Sequence, residues 1–176
     1  MKDLFPVLPV LQGERLLLRP LEDRDAAGLL SLTRQAAVYR WLPTFLFEKQ
    51  FDDPRETIRK LYDECLQDSL ILGVFSGGSF CGLAEMYGYR QPIRKISVGY
   101  RLLEECWGRG FATEALGLML NCLTNQTDID IVTASTMIEN LASAGVLKKN
   151  GFVLVSHSVP EDWGYPRPTL TDKWIL

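Results

Sequence analysis

The residues best placed to do chemistry stand in one run, Glu105-Cys106-Trp107-Gly108-Arg109-Gly110-Phe111-Ala112-Thr113. A strand pattern ends just ahead of them and a helical pattern begins within them. Two glycines, two residues apart, let the backbone aim successive N–H groups at one point. A helix N-terminus adds its dipole, so the segment is a ready anion cradle. Gly108 and Gly110 permit close approach of the anion, and Ala112 keeps the helix start uncrowded. Arg109 and Thr113 add a charge and a hydroxyl. Glycines also punctuate ordinary strand-to-helix turns, so G-x-G by itself names no ligand. Two phosphate motifs are excluded: there is no G-x-x-x-x-G-K-[ST], and Gly108 to Thr113 does not keep the full dinucleotide-binding spacing.

Other candidate chemistries are thinner. Cys65, Cys81, Cys106 and Cys122 include no C-x-x-C pair, and the one histidine, His157, cannot complete a zinc set with them. The cysteines read as buried free thiols, and no metal is expected. His157 would need a nucleophile, yet no G-x-S-x-G elbow occurs.

The elements that must position the cradle follow from periodicity. Glu14 to Pro20 is a short strand, and Glu22, Asp23 and Asp25 suit the first turn of a helix. Asp53-Pro54-Arg55-Glu56 opens a clearer helix, with Ile58, Leu61, Tyr62, Cys65 and Leu66 on one stripe of about four turns. Leu70 to Phe75, Phe80 to Tyr89 and Lys95 to Leu103 read as three antiparallel strands. Ser76-Gly77-Gly78-Ser79 makes the first hairpin. A mostly buried helix spans about Arg109 to Asn125, and a β-branched strand spans Ile129 to Thr136. Asn140 caps a short helix ended by Gly151, and Phe152 to His157 and Thr169 to Leu176 close the chain. The class is mixed α/β, with a central sheet that turns from antiparallel to parallel partway, flanked by helices.

Composition narrows the partners. The 176 residues suit one domain, 1–176, able to bury a core without disulfides. Nineteen basic against 22 acidic side chains give a formal charge of −3, which disfavours nucleic acid as the primary partner and suits a cationic ligand. There is no secretory signal pattern and no apolar run of membrane-spanning length, so the expectation is a cytoplasmic protein without membrane partners. Its assembly is open, a homodimer included.

Three stretches resemble the Gcn5-related N-acetyltransferases (GNAT), and their RimJ/RimL-like branch in particular. They are Gly13 to Pro20; Val98-Gly99-Tyr100-Arg101-Leu102 through Trp107 to Ala115; and Asn140-Leu141-Ala142-Ser143 followed by Lys149-Asn150-Gly151-Phe152. The resemblance runs over residues 12–176. It implies the fold of that superfamily and acetyl-CoA as cosubstrate, with direct transfer of acetyl to a primary amine, either a protein N-terminus or a small molecule. The backbone of Arg109 to Thr113 would hold the pyrophosphate, and the strand edge at Leu102-Leu103 would pair with pantetheine. A splay between that strand and the next would admit the thioester. Asn140 would reach the pantetheine arm, and Ser143 would protonate the departing thiolate.

The chemistry itself requires a proton acceptor for the amine and a donor for the oxyanion, here a backbone N–H near Tyr100 to Leu102. Many relatives carry a glutamate where this chain has Ser97. Glu85 is the best substitute base, with Glu104 and Glu105 behind it. Trp41 and Tyr100 are the acceptor-side candidates. Trp41 clusters with Phe45 and Phe47, which core packing explains equally well. Arg90, Arg94 and Lys95 read as a solvated hairpin or a steering patch for phosphates. A CoA-binding regulatory module without turnover and a nucleotide-binding module are the alternatives.

Overall fold

The computed structural model describes residues 1–176. Its strands are β1 (Leu11–Gln12), β2 (Leu16–Arg19), β3 (Ser69–Ser76), β4 (Ser79–Arg90), β5 (Lys95–Leu102), β6 (Ile131–Met137), β7 (Val153–Glu161) and β8 (Thr169–Ile175). Its helices are α1 (Ala26–Thr33), α2 (Ala36–Tyr39), α3 (Pro54–Asp63), α4 (Phe111–Gln126) and α5 (Leu141–Lys149). All eight strands form one sheet in the order β1-β2-β3-β4-β5-β6-β8-β7. Every neighbouring pair is antiparallel except β5 and β6, which α4 connects as a crossover.

The expected mixed α/β class therefore holds, but the sheet is parallel only at the β5–β6 step and returns to antiparallel through β8 and β7. Residues 70 to 75 of β3 are all buried, so the sheet is covered on both faces there. The helices α1 and α3 pack on each other and against β4 and β3, while α4 packs against β1, β2, β4 and β5. No helix is long and apolar enough to cross a membrane.

One element differs from the sequence reading. The stripe from Ile58 to Leu66 is not one helix: α3 ends at Asp63 and Cys65–Gln67 tightens into a 3₁₀ turn. The chain must enter β3 two residues later, and a tighter last turn re-aims it while still burying Leu66. The sheet order of the two closing strands, which the sequence left open, has β8 inserted between β6 and β7. Burial explains the choice, since Thr171 and Trp174 of β8 are buried whereas Val153, Leu154 and Val155 of β7 are exposed. The indole N–H of Trp174 donates to Thr136 Oγ1 at 3.0 Å, which ties β8 to β6.

The start of α4 is held by a contact that spans 99 residues. Glu114 Oε1 accepts the backbone N–H of Arg15 at 2.8 Å and that of Leu16 at 3.0 Å, and Oε2 accepts Arg15 Nε at 2.8 Å. Arg15 Nη1 donates onward to the Arg109 carbonyl at 2.7 Å. Burial works to raise the Glu114 pKa, but the hydrogen bonds from Arg15 and Leu16 outweigh it and hold the carboxyl below its ordinary value. Because the folded-state value is lowered, its contribution is present at neutral pH and is lost as pH falls through that lowered value. Glu114→Ala is expected to cost about 1–3 kcal/mol by urea unfolding at pH 7. The difference from the parent should shrink in acid, and an equal gap at pH 7 and pH 3 contradicts this account.

Candidate active site

The glycine turn behaves as its sequence implies. Gly108 and Gly110 have φ of 69° and 77°, the left-handed region that other residues enter only at a cost. Gly110 is the N-cap of α4, and no side chain caps that helix. The first N–H to find an intrahelical acceptor is that of Glu114, which donates to Gly110 O at 3.1 Å. The N–H groups of Phe111, Ala112 and Thr113 are left as orphan donors at the positive end of the helix dipole. A Cβ at Gly108 would meet nothing within 4 Å, so the turn is open on that side.

Beside the turn the sheet divides. The parallel ladder of β5 and β6 consists of Lys95↔Ile131, Ile96↔Val132 and Ser97↔Thr133, and then stops. Its last rung is closed by Ser97 Oγ and Thr133 Oγ1 at 2.9 Å. Beyond it β5 remains paired with β4 only, out to Gly82↔Leu102. The Leu103 N–H donates to Cys81 O at 2.9 Å, which fixes the ladder's phase. Ser97, Gly99 and Arg101 direct their backbone groups to β4, and Val98, Tyr100 and Leu102 direct theirs into the gap.

A cavity of about 1430 Å³ fills that gap, more than the ~300–1,000 Å³ of an ordinary small-molecule site. At one end it is lined by Gly108, Gly110, Phe111, Ala112 and Thr113. Midway it meets Tyr100, Leu102, Asn140 and Ser143. Its far end is walled by Trp41, Phe45 and Phe47 and floored by Glu85, Tyr87 and Arg101. The walls of that end brace one another: Thr44 N donates to Trp163 O at 2.8 Å and the Tyr165 hydroxyl to Leu42 O at 2.9 Å. Thus the segment after α2 and the loop between β7 and β8 form one rim.

Most of the residues singled out by the sequence meet here, with corrections. Leu103 does not line the cavity; it is buried in the core beside Cys81. Arg109 is not part of the lining, and its guanidinium lies 4.4 Å from the Phe111 ring centre. Leu102 lines the gap, but its carbonyl accepts the Trp107 indole N–H at 2.8 Å, which locks the strand end to the glycine turn. Asn140 is the helix cap its position implies: its Oδ1 accepts the Ser143 N–H at 3.1 Å. Glu104 and Glu105 stay outside the cavity, bridged to Gln35. The Arg94 guanidinium pairs with Asp130 instead of reaching a ligand.

Ser143 and Tyr100 share a contact the sequence did not show. Ser143 Oγ lies 3.0 Å from the Tyr100 hydroxyl, so a residue of α5 and one of β5 meet across the gap. Burial pushes the Tyr100 hydroxyl up to about 12, with the Ser143 hydrogen bond opposing. The phenol stays protonated at neutral pH, and the pair can pass a proton toward the cavity.

At the far end a buried ionic network was also missed. Arg101 donates from Nη1 to Glu85 Oε2 at 2.7 Å and from Nη2 to Glu48 Oε2 at 2.8 Å. The Tyr39 hydroxyl donates to Glu48 Oε1 at 2.9 Å. Burial works against the Arg101 charge, and Glu48 and Glu85 more than offset it, raising its pKa above the ordinary guanidinium value. The one sequence signal was a charged residue between Tyr100 and Leu102 in a strand that must be buried. Glu48, in the 3₁₀ turn Phe47–Lys49 and 53 residues away, offered none.

Comparison with known proteins follows from this geometry. The family model described as an acetyltransferase (GNAT) domain matches residues 15–153. An uncharacterized N-acetyltransferase of Bacillus subtilis, YoaA, is 25% identical over 150 residues, covering 83% of this chain and 84% of that protein. A GNAT-family acetyltransferase of Bacillus anthracis has a TM-score of 0.82 at 18% identity, covering 96% of this chain and 98% of its own. Mycobacterium smegmatis RimJ, solved with CoA-disulfide, has a TM-score of 0.79 at 23% identity over 98% of this chain and 88% of its own. These two likenesses show a shared fold.

Gly110→Val places a β-branched side chain at positive φ, a strain of at least ~1–2 kcal/mol. It also brings that side chain against Arg15 Nη2, which already lies 3.3 Å from an ideal Cβ. Anion affinity of the turn should fall about tenfold or more while circular dichroism keeps the native spectrum; unchanged affinity for CoA in calorimetry rejects the cradle.

Proposed function

The chain belongs to the GNAT acetyltransferase family and is an N-acetyltransferase, and from that premise we propose that it moves acetyl directly from acetyl-CoA to a primary amine in the manner of the RimJ/RimL-like branch. The acceptor is a protein N-terminus or a small-molecule amine. Residues 1–176 act as one catalytic unit in this reading. The observation that carries it is a single cavity joining the uncapped start of α4, the divergence of β5 from β6, and the Glu85 floor.

Acetyl-CoA supplies the activated thioester. The residues present fit it: the orphan N–H groups of Phe111, Ala112 and Thr113, with the turn at Gly108 and Gly110, suit a pyrophosphate. The gap-facing backbone of Val98, Tyr100 and Leu102 suits an extended amide-bearing arm that pairs as an added strand. The side-chain Nδ2 of Asn140 is free of intramolecular bonds and is the remaining donor for that arm.

Each chemical requirement then has a residue. The amine must lose a proton before it attacks, and Glu85 accepts it, directly or through water. The oxyanion is met by the backbone N–H of Tyr100 or Leu102, donors fixed by the β4–β5 ladder before the reaction begins. The thiolate takes its proton from the Ser143–Tyr100 hydroxyl pair. Ser97, tied to Thr133, closes the gap and serves no base role. The wall of Trp41, Phe45 and Phe47 and the rim around Trp163 select the acceptor.

Thiol release from acetyl-CoA, followed across a panel of N-terminal peptides and amines, tests the reading; saturable acetyl-CoA binding with no release on any amine sinks it. Ser143→Ala should lower kcat by ~10²-fold with little change in the KM for acetyl-CoA. A rate equal to the parent's makes Ser143 a helix residue only.

A further inference from the structure

The far end of the cavity holds three ionised side chains in a fixed arrangement. Glu48 is buried with 0% side-chain exposure, Arg101 with 3% and Glu85 with 12%. Glu48 approaches Arg101 at both Nη2 and Nε, the latter at 2.5 Å to Oε1. The Nε contact is an ion pair without an aligned hydrogen bond, and Nη1 donates to only one of the two Glu85 oxygens. Glu85 Oε1 has no protein partner.

The strand register explains why that oxygen stays accessible. Glu85 faces Gly99 directly across the β4–β5 ladder. A Cβ built at Gly99 would meet only Tyr87 Cε1, at 3.7 Å. A glycine here is not required by the backbone, since its φ is not positive. What it leaves is an open patch of floor in front of the carboxylate. The other titratable groups facing this cluster or its chamber are Tyr87 on the same strand, Glu64, Cys65 and Asp68 ahead of β3, Tyr39 of α2 beside Glu48 and Arg101, and Glu161 of β7. Glu161 is already paired with Lys173, so it adds little net charge.

Resting on the acetyltransferase reading above, we propose that Glu48 is a positioning residue for the transfer reaction. Acting through Arg101, it directs one guanidinium N–H to one Glu85 oxygen and keeps the Glu48–Arg101–Glu85 cluster at one net negative charge. The other oxygen is thereby presented to the acceptor's ammonium group. Without Glu48 the whole guanidinium charge falls on Glu85, the floor becomes neutral, and the attraction for a cationic amine is lost. With Glu48 in place, an ammonium that docks on Glu85 brings the cluster to neutrality and hands over its proton to the carboxylate. The amine is left with its lone pair free to attack.

Cys65 lines the same chamber and is partly exposed, whereas Cys81, Cys106 and Cys122 are buried; with Cys106, which also lines the cavity, replaced by Ser in every variant, Cys65 is a reporter of charge that needs no substrate. The readout is the ratio of its modification rates by a cationic (trimethylammonioethyl) and an anionic (sulfonatoethyl) methanethiosulfonate. Taking the ratio cancels changes in thiol reactivity. The parent is expected to favour the cation, and Glu48→Gln to cut the ratio by about threefold or more. Glu85→Gln, which leaves the Glu48–Arg101 pair whole, should cut it as much. The double variant Glu48→Gln/Arg101→Gln restores one net negative charge and should recover the parent ratio. With the best acceptor amine, the amine KM should rise and recover in parallel while acetyl-CoA affinity holds. A ratio unmoved by Glu48→Gln, or a double variant worse than the single, overturns the proposal. If the ratios behave as expected but no amine releases thiol, the charge setting stands and the acetyl-transfer reading is the one that fails.

Discussion

The arrangement depends on one interruption: the parallel ladder between β5 and β6 ends after three residue pairs. Strands in a buried sheet normally continue until both run out, because unpaired N–H and C=O groups away from water are costly. Here β5 and β6 each go on for several residues, β5 held by β4 and β6 held by β8. Insertion of β8 between β6 and β7 is what allows β6 to diverge, since it gives β6 a full antiparallel partner on its other side. The gap is thus a cleft with strand-edge chemistry inside it, and an extended amide-bearing ligand can satisfy it.

The two ends of the cleft are secured by different means. At the cradle the securing contacts are polar and partly exposed: Glu114 binds the backbone entering β2, Arg15 binds the Arg109 carbonyl, and the Trp107 indole binds Leu102 O. These fix a turn that must keep its own N–H groups unpaired. At the far end the contacts are ionic and buried, where a guanidinium is tolerable only because two carboxylates meet it. Replacing such a cluster by apolar side chains is often neutral or stabilising, so its presence here fits a site that needs charge more than it needs stability.

The sequence disclosed what is local. The glycine turn, its positive φ and the helix that starts at once come from consecutive residues, and the hairpin at Gly77-Gly78 is of the same kind. The Asn140 cap was legible from residue type and position, and the structure gives it that role. Where local signals were ambiguous the structure moved boundaries, as at Cys65–Gln67, because the path into β3 outranks the periodicity of the preceding stripe. Two site candidates were misplaced for one reason: adjacency along the chain does not fix where a side chain points. Leu103 turns into the core one residue past Leu102, and Arg109 folds over Phe111 between two glycines that face the cleft.

By itself the sequence determined the class, the order of elements and the glycine turn that opens α4, since the signals for each lie in windows of a dozen residues or so. Only the tertiary structure decided the rest. It joined Glu48 to Arg101 across 53 residues, Tyr100 to Ser143 across 43, and Arg15 to Glu114 across 99, and it placed β8 inside β7. A partner for a charge or a hydroxyl is selected by where the folded backbone brings it and by how little water remains there. Neither is a property of any short stretch of chain. Ser97 illustrates the point: its type only signalled a missing base, whereas its bond to Thr133 makes it the rung at which the sheet opens.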